Sequence, residues 1–139
     1  QESRPAPGLL AAIAAAERIV IAPSSPVVSI GTILAVPGVR EALADRRGDC
    51  AAVTPIVGGA AVEGPAARFL AGAGHPECSA TQMARLYADV AGTFVLAASD
   101  AAEAPAIAAL GVRPVLTDVL MPDRPSRARL ADEVLEALA

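Results

Sequence analysis

The stretch from Arg18 to Arg40, RIVIAPSSPVVSIGTILAVPGVR, constrains the fold more than any other part of the sequence. Residues 19–22 form a short apolar run typical of a central strand in a parallel sheet, and Pro23 stops that run because proline has no backbone N–H for the sheet. Pro23 and Pro26 then fix the backbone of a polar loop. Because ligands of α/β proteins bind beyond the carboxyl ends of strands, we expect the function to lie in this loop.

The same stretch has to be considered as a membrane span. It carries no charge between Arg18 and Arg40, and the mean hydropathy of the chain is +0.50. Its prolines, glycines and hydroxyl side chains make it a poor helix, so no membrane partner is expected. Residues 1–8, QESRPAPG, have neither an initiator Met nor an apolar core, so they predict no signal peptide and fit a mid-chain start.

Composition favours one compact unit over residues 1–139. With 139 residues, 54% of them apolar and 19% charged, the chain can bury the core of a single domain. A net charge of −4 argues against a nucleic-acid partner. Cys50 and Cys78 form neither a CxxC pair nor a disulfide framework, so a reduced, cytoplasmic compartment is expected.

Short apolar runs alternate with helical patterns along the chain. Strands are predicted over 19–22, over 51–57 with a break at Pro55, and over 93–97 and 115–118; Pro114 at the start of the last one indicates a sheet edge. Helices are predicted over 9–18, 30–35 and 38–46, from Pro65 to about residue 72, from Ser79 to about residue 91, between Asp100 and residue 111, and after Asp123. This alternation indicates an α/β fold, Rossmann-like, with a mostly parallel sheet and flanking helices.

Three predicted helices carry start signals. Ser79 and Gln82 fit a capping box, with Met83, Leu86, Tyr87 and Val90 spaced as a buried face. Asp100 together with Glu103 is expected to cap the next helix. Asp123 is expected to cap the closing helix, in which Leu130, Val134 and Leu138 form a core stripe.

The loop after the first strand is the leading candidate site. Ser24, Ser25, Ser29 and Thr32 offer hydroxyls, and Gly31 permits close approach by a ligand or by another part of the backbone. The hydroxyls can receive a phosphate or a ribityl chain, while backbone N–H groups at the next helix start hold an anion. The alternative is an ordinary Ser-Pro turn.

Three other segments are weaker candidates. Residues 55–64, PIVGGAAVEG, include Gly58 and Gly59 after a strand, which suits either close approach to a ligand or a tight connection; the P-loop lysine and the GxGxxG spacing are missing. Asp118 follows a strand and could bind a metal or sugar hydroxyls, although capping the next turn is the favoured interpretation. His75, Glu77 and Cys78 lack the companion ligands that a zinc site needs, so no metal ligands are assigned.

Four blocks of this sequence resemble the 2-phospho-L-lactate transferase family, called CofD, or FbiA in actinobacteria, which acts in coenzyme F(420) biosynthesis. They are IAPSSPVVSIGTILAVPGVREAL, TPIVGGAAVEGPAARFLA, SATQMARLYADVAGTFVL and APAIAALGVRPVLTDVLM. Family members are more than twice as long, so the chain resembles a carboxy-terminal portion that lacks the amino-terminal half. Ser25 stands where the family more usually has Asn, so it loses the reach of an amide.

The resemblance implies a phosphotransferase of class EC 2.7.8. Such an enzyme moves a phospholactyl or phosphoenolpyruvyl group from a guanylylated diphosphate donor to the hydroxyl of the deazaflavin Fo, releases GMP and uses Mg²⁺. The metal ligands would lie in the absent half, the isolated chain would be inactive, and a homodimer is expected. The residues assigned to substrate binding are Ser24, Ser25, Pro26, Ser29, Gly31, Gly58 and Gly59.

Two other functions stay open. A related branch of the superfamily resembles nucleotide-sugar-binding regulators, which would bind a UDP-sugar and not Fo. The chain could also be a structural half whose exposed apolar surface pairs with the absent half or with a second copy.

Overall fold

The structure, a computed structural model, describes residues 3–62, 66–75 and 77–139. Within these ranges the chain forms a four-stranded parallel sheet, and a separate two-stranded hairpin lies beside it. The sheet strands are β1 (Ile19–Ile21), β2 (Cys50–Val53), β5 (Thr93–Ala97) and β6 (Arg113–Thr117), and the hairpin strands are β3 (Ile56–Val57) and β4 (Ala60–Ala61). The predicted α/β fold with a Rossmann-like parallel sheet is confirmed.

Seven α-helices connect and flank these strands in the described ranges. They are α1 (Leu9–Ala15), α2 (Ile30–Leu34), α3 (Val39–Ala44), α4 (Ala66–Gly72), α5 (Ala80–Tyr87), α6 (Ala104–Ala108) and α7 (Arg124–Ala137). Two 3₁₀ turns, Arg47–Asp49 and Ala98–Glu103, precede β2 and α6. The predicted opening of α4 by Pro65 lies outside the described residues.

The sheet grows in one direction, in the order β1-β2-β5-β6. Right-handed crossovers that advance in one direction place all their helices on the same face of a sheet. In agreement, Leu43 of α3, Met83 of α5 and Ile107 of α6 share one core with Phe94 of β5. The opposite face packs on α7, through Leu130 and Val134.

The two central strands are buried on both faces. The four residues of β2 and the five of β5 are all buried, which is why their sequences are apolar at every position except Thr93. Cys50 belongs to this core, and burial raises the pKa of its thiol to about 11, so it stays protonated and packs as a small apolar side chain. Both cysteines are free thiols.

The outer strands are exposed at their edges. Pro114 pairs with Phe94 on one side only, so the predicted edge position of β6 is confirmed. At the other edge, Val20 of β1 lies in register with Ala51 and is 43% exposed. Among the described helices, none is long and apolar enough to cross a membrane.

The predicted caps at the helix N-termini are partly correct. Asp123 caps α7 by accepting hydrogen bonds from Ser126, as predicted. The Ser79 hydroxyl accepts from the Gln82 backbone N–H at 3.1 Å, but the Gln82 side chain contacts His75 and Arg85, so only half of the capping box forms.

One sequence prediction is correct in part and one is wrong. The run 51–57, predicted as one strand broken at Pro55, forms two strands: β2 ends at Val53 and β3 covers Ile56–Val57. The Thr54 hydroxyl bonds the N–H and the C=O of Ile56 and turns the chain out of the sheet between them. Asp100 and Glu103 do not cap their own helix. Asp100 accepts from the Gly58 N–H, and Glu103 accepts from the N–H groups of residues 80 and 81 at the start of α5.

Candidate functional site

Loops from the carboxyl ends of three strands surround a cleft of about 750 Å³. The segment after β1 contributes Ser24, Ser25 and Ser29 to its wall, and the segment after β2 contributes Thr54 and Val62. The segment after β6 supplies residues 119–122 and Arg127, and Phe69 of α4 completes the lining. The cleft therefore lies where ligands bind in open α/β sheets.

The serine loop, residues 23–29, contributes side chains to the cleft and is stabilised by hydrogen bonds within the loop. Ser25 Oγ accepts a hydrogen bond from the Val28 N–H at 3.3 Å, and its carbonyl accepts from the N–H groups of Ser29 and Ile30 at 3.2 and 2.9 Å. Two of the backbone N–H groups expected to hold an anion at the start of α2 are therefore already bonded to Ser25. The loop thus offers side-chain hydroxyls to the cleft, while its backbone forms the Ser-Pro turn.

Pro26 and Gly31 pack on each other and do not line the cleft. Pro26 is buried, and a Cβ atom at Gly31 would lie 2.5 Å from the Pro26 carbonyl oxygen. The close approach predicted at Gly31 is therefore made by the backbone of its own loop. The Thr32 hydroxyl donates to the Ser29 carbonyl at 2.7 Å, within its own helix.

Gly58 and Gly59 form the two-residue turn of the β3–β4 hairpin. Their φ values of +60° and +76° match a turn that needs positive φ at both central positions, which glycine adopts without strain. The Gly58 N–H donates to both carboxylate oxygens of Asp100, at 3.0 and 3.1 Å. Neither glycine lines the cleft, but the hairpin leads directly into Val62, which does.

Large apolar side chains also line the cleft, and sequence reasoning missed them. Among them are Val28, Val62, Phe69, Leu120 and Met121. Phe69 is 40% exposed and Val62 47%, so these side chains are available to a ligand. A signal existed in the run of residues 119–122, VLMP, which continues apolar after β6 where a solvent-exposed loop would be polar.

Arg127 was also missed, and it is the one charged side chain among the described lining residues. It lies in the first turns of α7, whose cap residue Asp123 accepts from the Ser126 N–H at 2.8 Å and from the Ser126 hydroxyl. Those hydrogen bonds hold the pKa of Asp123 below its ordinary value, so its carboxylate stays ionised as a cap.

The acidic side chains around the sheet have structural partners. Asp118 accepts from the Leu120 N–H at 3.0 Å and lies 3.7 Å from Arg129, which confirms its interpretation as a turn cap. His75 Nδ1 lies 3.2 Å from the Gln82 amide nitrogen. Across the described ranges, no three His, Cys, Asp or Glu side chains gather into a group that could hold a metal ion. These residues therefore do not fit a Mg²⁺ site.

Comparison with known proteins decides the family. The model of the family described as "2-phospho-L-lactate transferase CofD" matches residues 1–123. The chain belongs to this family. The match includes the serine loop, the hairpin and the apolar run after β6, so most of the cleft lies in family sequence. Arg127 lies just beyond the matched residues.

Curated relatives of the family support the assignment. The chain is 41% identical over 137 residues to a phosphoenolpyruvate transferase of Streptomyces griseus, covering 98% of this chain and 43% of the relative. It is 36% identical over 136 residues to a 2-phospho-L-lactate transferase of Methanosarcina mazei, covering 98% of this chain and 44% of the relative. The chain thus spans less than half the length of these relatives.

Proposed function

We propose that this chain is the carboxy-terminal portion of a transferase of coenzyme F(420) biosynthesis. The enzyme would move a phospholactyl or phosphoenolpyruvyl group from a guanylylated diphosphate donor to the deazaflavin Fo. The hydroxyl oxygen of Fo forms the new P–O bond, the bond to the bridging oxygen breaks, GMP leaves with that oxygen, and the hydroxyl proton passes to solvent. The cleft beyond the strand ends, with apolar and hydroxyl walls, is the observation that carries this proposal.

The apolar side chains and the hydroxyls that line the cleft match the aromatic ring and the ribityl chain of Fo, respectively. A planar, fused aromatic ring gains from apolar contact with Phe69, Val62 and Met121. The ribityl chain carries hydroxyls that can exchange hydrogen bonds with Ser24, Ser25 and Ser29. Phosphoryl transfer depends mainly on aligning the reacting oxygen with the phosphorus. A cleft that binds both the ring and the ribityl chain of Fo fixes the position of the reacting hydroxyl oxygen.

The remaining parts of the active site are proposed to lie in the rest of the longer protein. In a doubly wound sheet, strands extend from the central strand in both directions, and ligands bind where the direction reverses. Here the described strands run one way from β1, which is an edge strand of the described sheet. A strand from the amino-terminal half added at this edge would make the cleft the reversal point.

Charge neutralisation is also assigned to the rest of the protein. The chain has no Lys, and its described acidic side chains form no metal-binding group. Mg²⁺, which would neutralise charge developing on the transferred phosphoryl group, is therefore proposed to bind through residues of the missing half. The homodimer stays a prediction.

Fo binding is the first test, because the deazaflavin reports its own fluorescence anisotropy and the chain has no Trp. We expect saturable binding that weakens about tenfold in Phe69→Ala, through loss of an aromatic contact. Leu135→Ala is the matched control, because Leu135 is also 40% exposed but does not line the cleft. UDP-sugar binding without Fo binding would contradict the proposal and favour a regulator.

Turnover tests whether catalysis needs the missing amino-terminal half in addition to this chain. We expect the 139-residue chain, mixed with Fo, donor and Mg²⁺, to produce no GMP above the uncatalysed rate, because its described residues form no metal-binding group. GMP release is measured by chromatography, with a full-length family member as positive control. Steady turnover by this chain alone would show that its own residues suffice.

A further inference from the structure

We infer that Arg127 is a specificity residue that binds the phosphate attached to the ribityl end of the deazaflavin, so that the cleft prefers the phosphorylated form over Fo. This inference rests on the proposed function. It names the group that distinguishes the product of the transfer from the acceptor.

The position of Arg127 suits this role. The serine loop after β1 and Arg127 both line the same cleft, so one ligand in the cleft can contact both. Arg127 is exposed, which leaves its side chain free to adjust to a ligand. A guanidinium can donate two parallel hydrogen bonds to phosphate oxygens, a geometry that a single neutral hydroxyl cannot match.

The electrostatics of the cleft point the same way. The chain carries a net charge of −4, yet its cleft presents a cation as its one charged side chain among the described lining residues. The neighbouring carboxylate, Asp123, interacts electrostatically with Arg127, but its hydrogen bonds come from the N–H and the hydroxyl of Ser126 at the start of α7. The N-terminal end of this 14-residue helix adds a partial positive charge on the same side.

The test compares two ligands, Fo and its ribityl phosphate ester, by fluorescence anisotropy. We expect the unaltered chain to bind the ester about tenfold more tightly than Fo, the gain of one charge-assisted contact. Arg127→Gln should abolish this preference, because it weakens binding of the ester about tenfold more than binding of Fo. Arg127→Lys should keep part of it, because the charge remains but the planar fork is lost.

Arg124→Gln is the matched control, since Arg124 is an exposed arginine of the same helix that does not line the cleft. It should leave the preference intact. Raising the ionic strength to about 1 M, where the screening length falls to about 3 Å, should reduce the preference in the unaltered chain.

The outcomes separate this inference from the proposed function. If Fo binds but the ester binds no more tightly, or if Arg127→Gln weakens both ligands equally, the role of Arg127 is wrong and the Fo cleft stands. If neither ligand binds to the folded chain, both the proposed Fo cleft and the inference fail. An equal effect of Arg124→Gln would show a general charge effect and overturn the assignment to Arg127.

Discussion

Gly31→Ala is expected to lower the free energy of unfolding by about 1–3 kcal/mol, the range for overpacking a filled site. The new Cβ would lie 2.5 Å from the Pro26 carbonyl oxygen, a backbone atom that cannot rotate away. The loop that carries Ser24 and Ser25 must shift to make room, so Fo binding should weaken with stability. Urea unfolding and Fo anisotropy on the same variant measure the two effects.

Gly48→Ala is the control for the glycine change itself. No atom lies within 4 Å of a Cβ at Gly48, so this variant should change stability by no more than about 0.5 kcal/mol. Equal stability of the Gly31→Ala and Gly48→Ala variants would mean that the loop does not pack on Gly31 as described.

The sheet could be predicted because strands that are buried on both faces leave a recognisable apolar run in the sequence. Strands buried on both faces read as nearly continuous apolar runs, as residues 94–97 do after Thr93. Pro114 could be assigned to an edge because a proline in a central strand would leave its neighbour without a donor. These inferences use only the residue and its immediate neighbours.

The end of β2 could be predicted only approximately, from the break that Pro55 makes in the run 51–57. Residues 51–57 are apolar apart from Thr54 and Pro55, and both the strand and the following hairpin need apolar residues. The deciding contacts are made by one hydroxyl, that of Thr54, with the backbone of Ile56. Threonine is common in strands, so its presence alone did not predict a turn.

The roles of Asp100 and Glu103 depend on partners distant in sequence. An acidic residue just before a helical pattern predicts a local cap. Asp100 instead bonds a residue 42 positions away, and Glu103 bonds one 22 positions away. Such pairings follow from how the sheet brings loops together, which the local pattern does not contain.

The site was predictable in its polar part and not in its apolar part. Ser24, Ser25 and Ser29 follow a strand end, where general rules place ligands, and they do line the cleft. Phe69 and Arg127 come from helices α4 and α7, far apart in the sequence. Only the folded arrangement brings them to the same space.

Asp100→Ala is expected to destabilise the chain by about 1–3 kcal/mol, the cost of leaving a part-buried donor without its partner. Asp100 is 8% exposed, and its carboxylate accepts the Gly58 N–H at 3.0 and 3.1 Å, which ties the β3–β4 hairpin to the turn after β5. Since the hairpin leads into Val62, its release should also weaken Fo binding. Hydrogen exchange of the Gly58 amide should accelerate first.

Asp100→Asn distinguishes the hydrogen bond from the charge. Asparagine keeps one oxygen that can accept from the Gly58 N–H, so this variant should retain most of the stability and slow amide exchange of the native chain. If the alanine and asparagine variants lose stability equally, the negative charge matters more than the acceptor geometry. If neither variant changes the Gly58 exchange rate, the hairpin is held by its own glycine turn and by Ile56, which is fully buried.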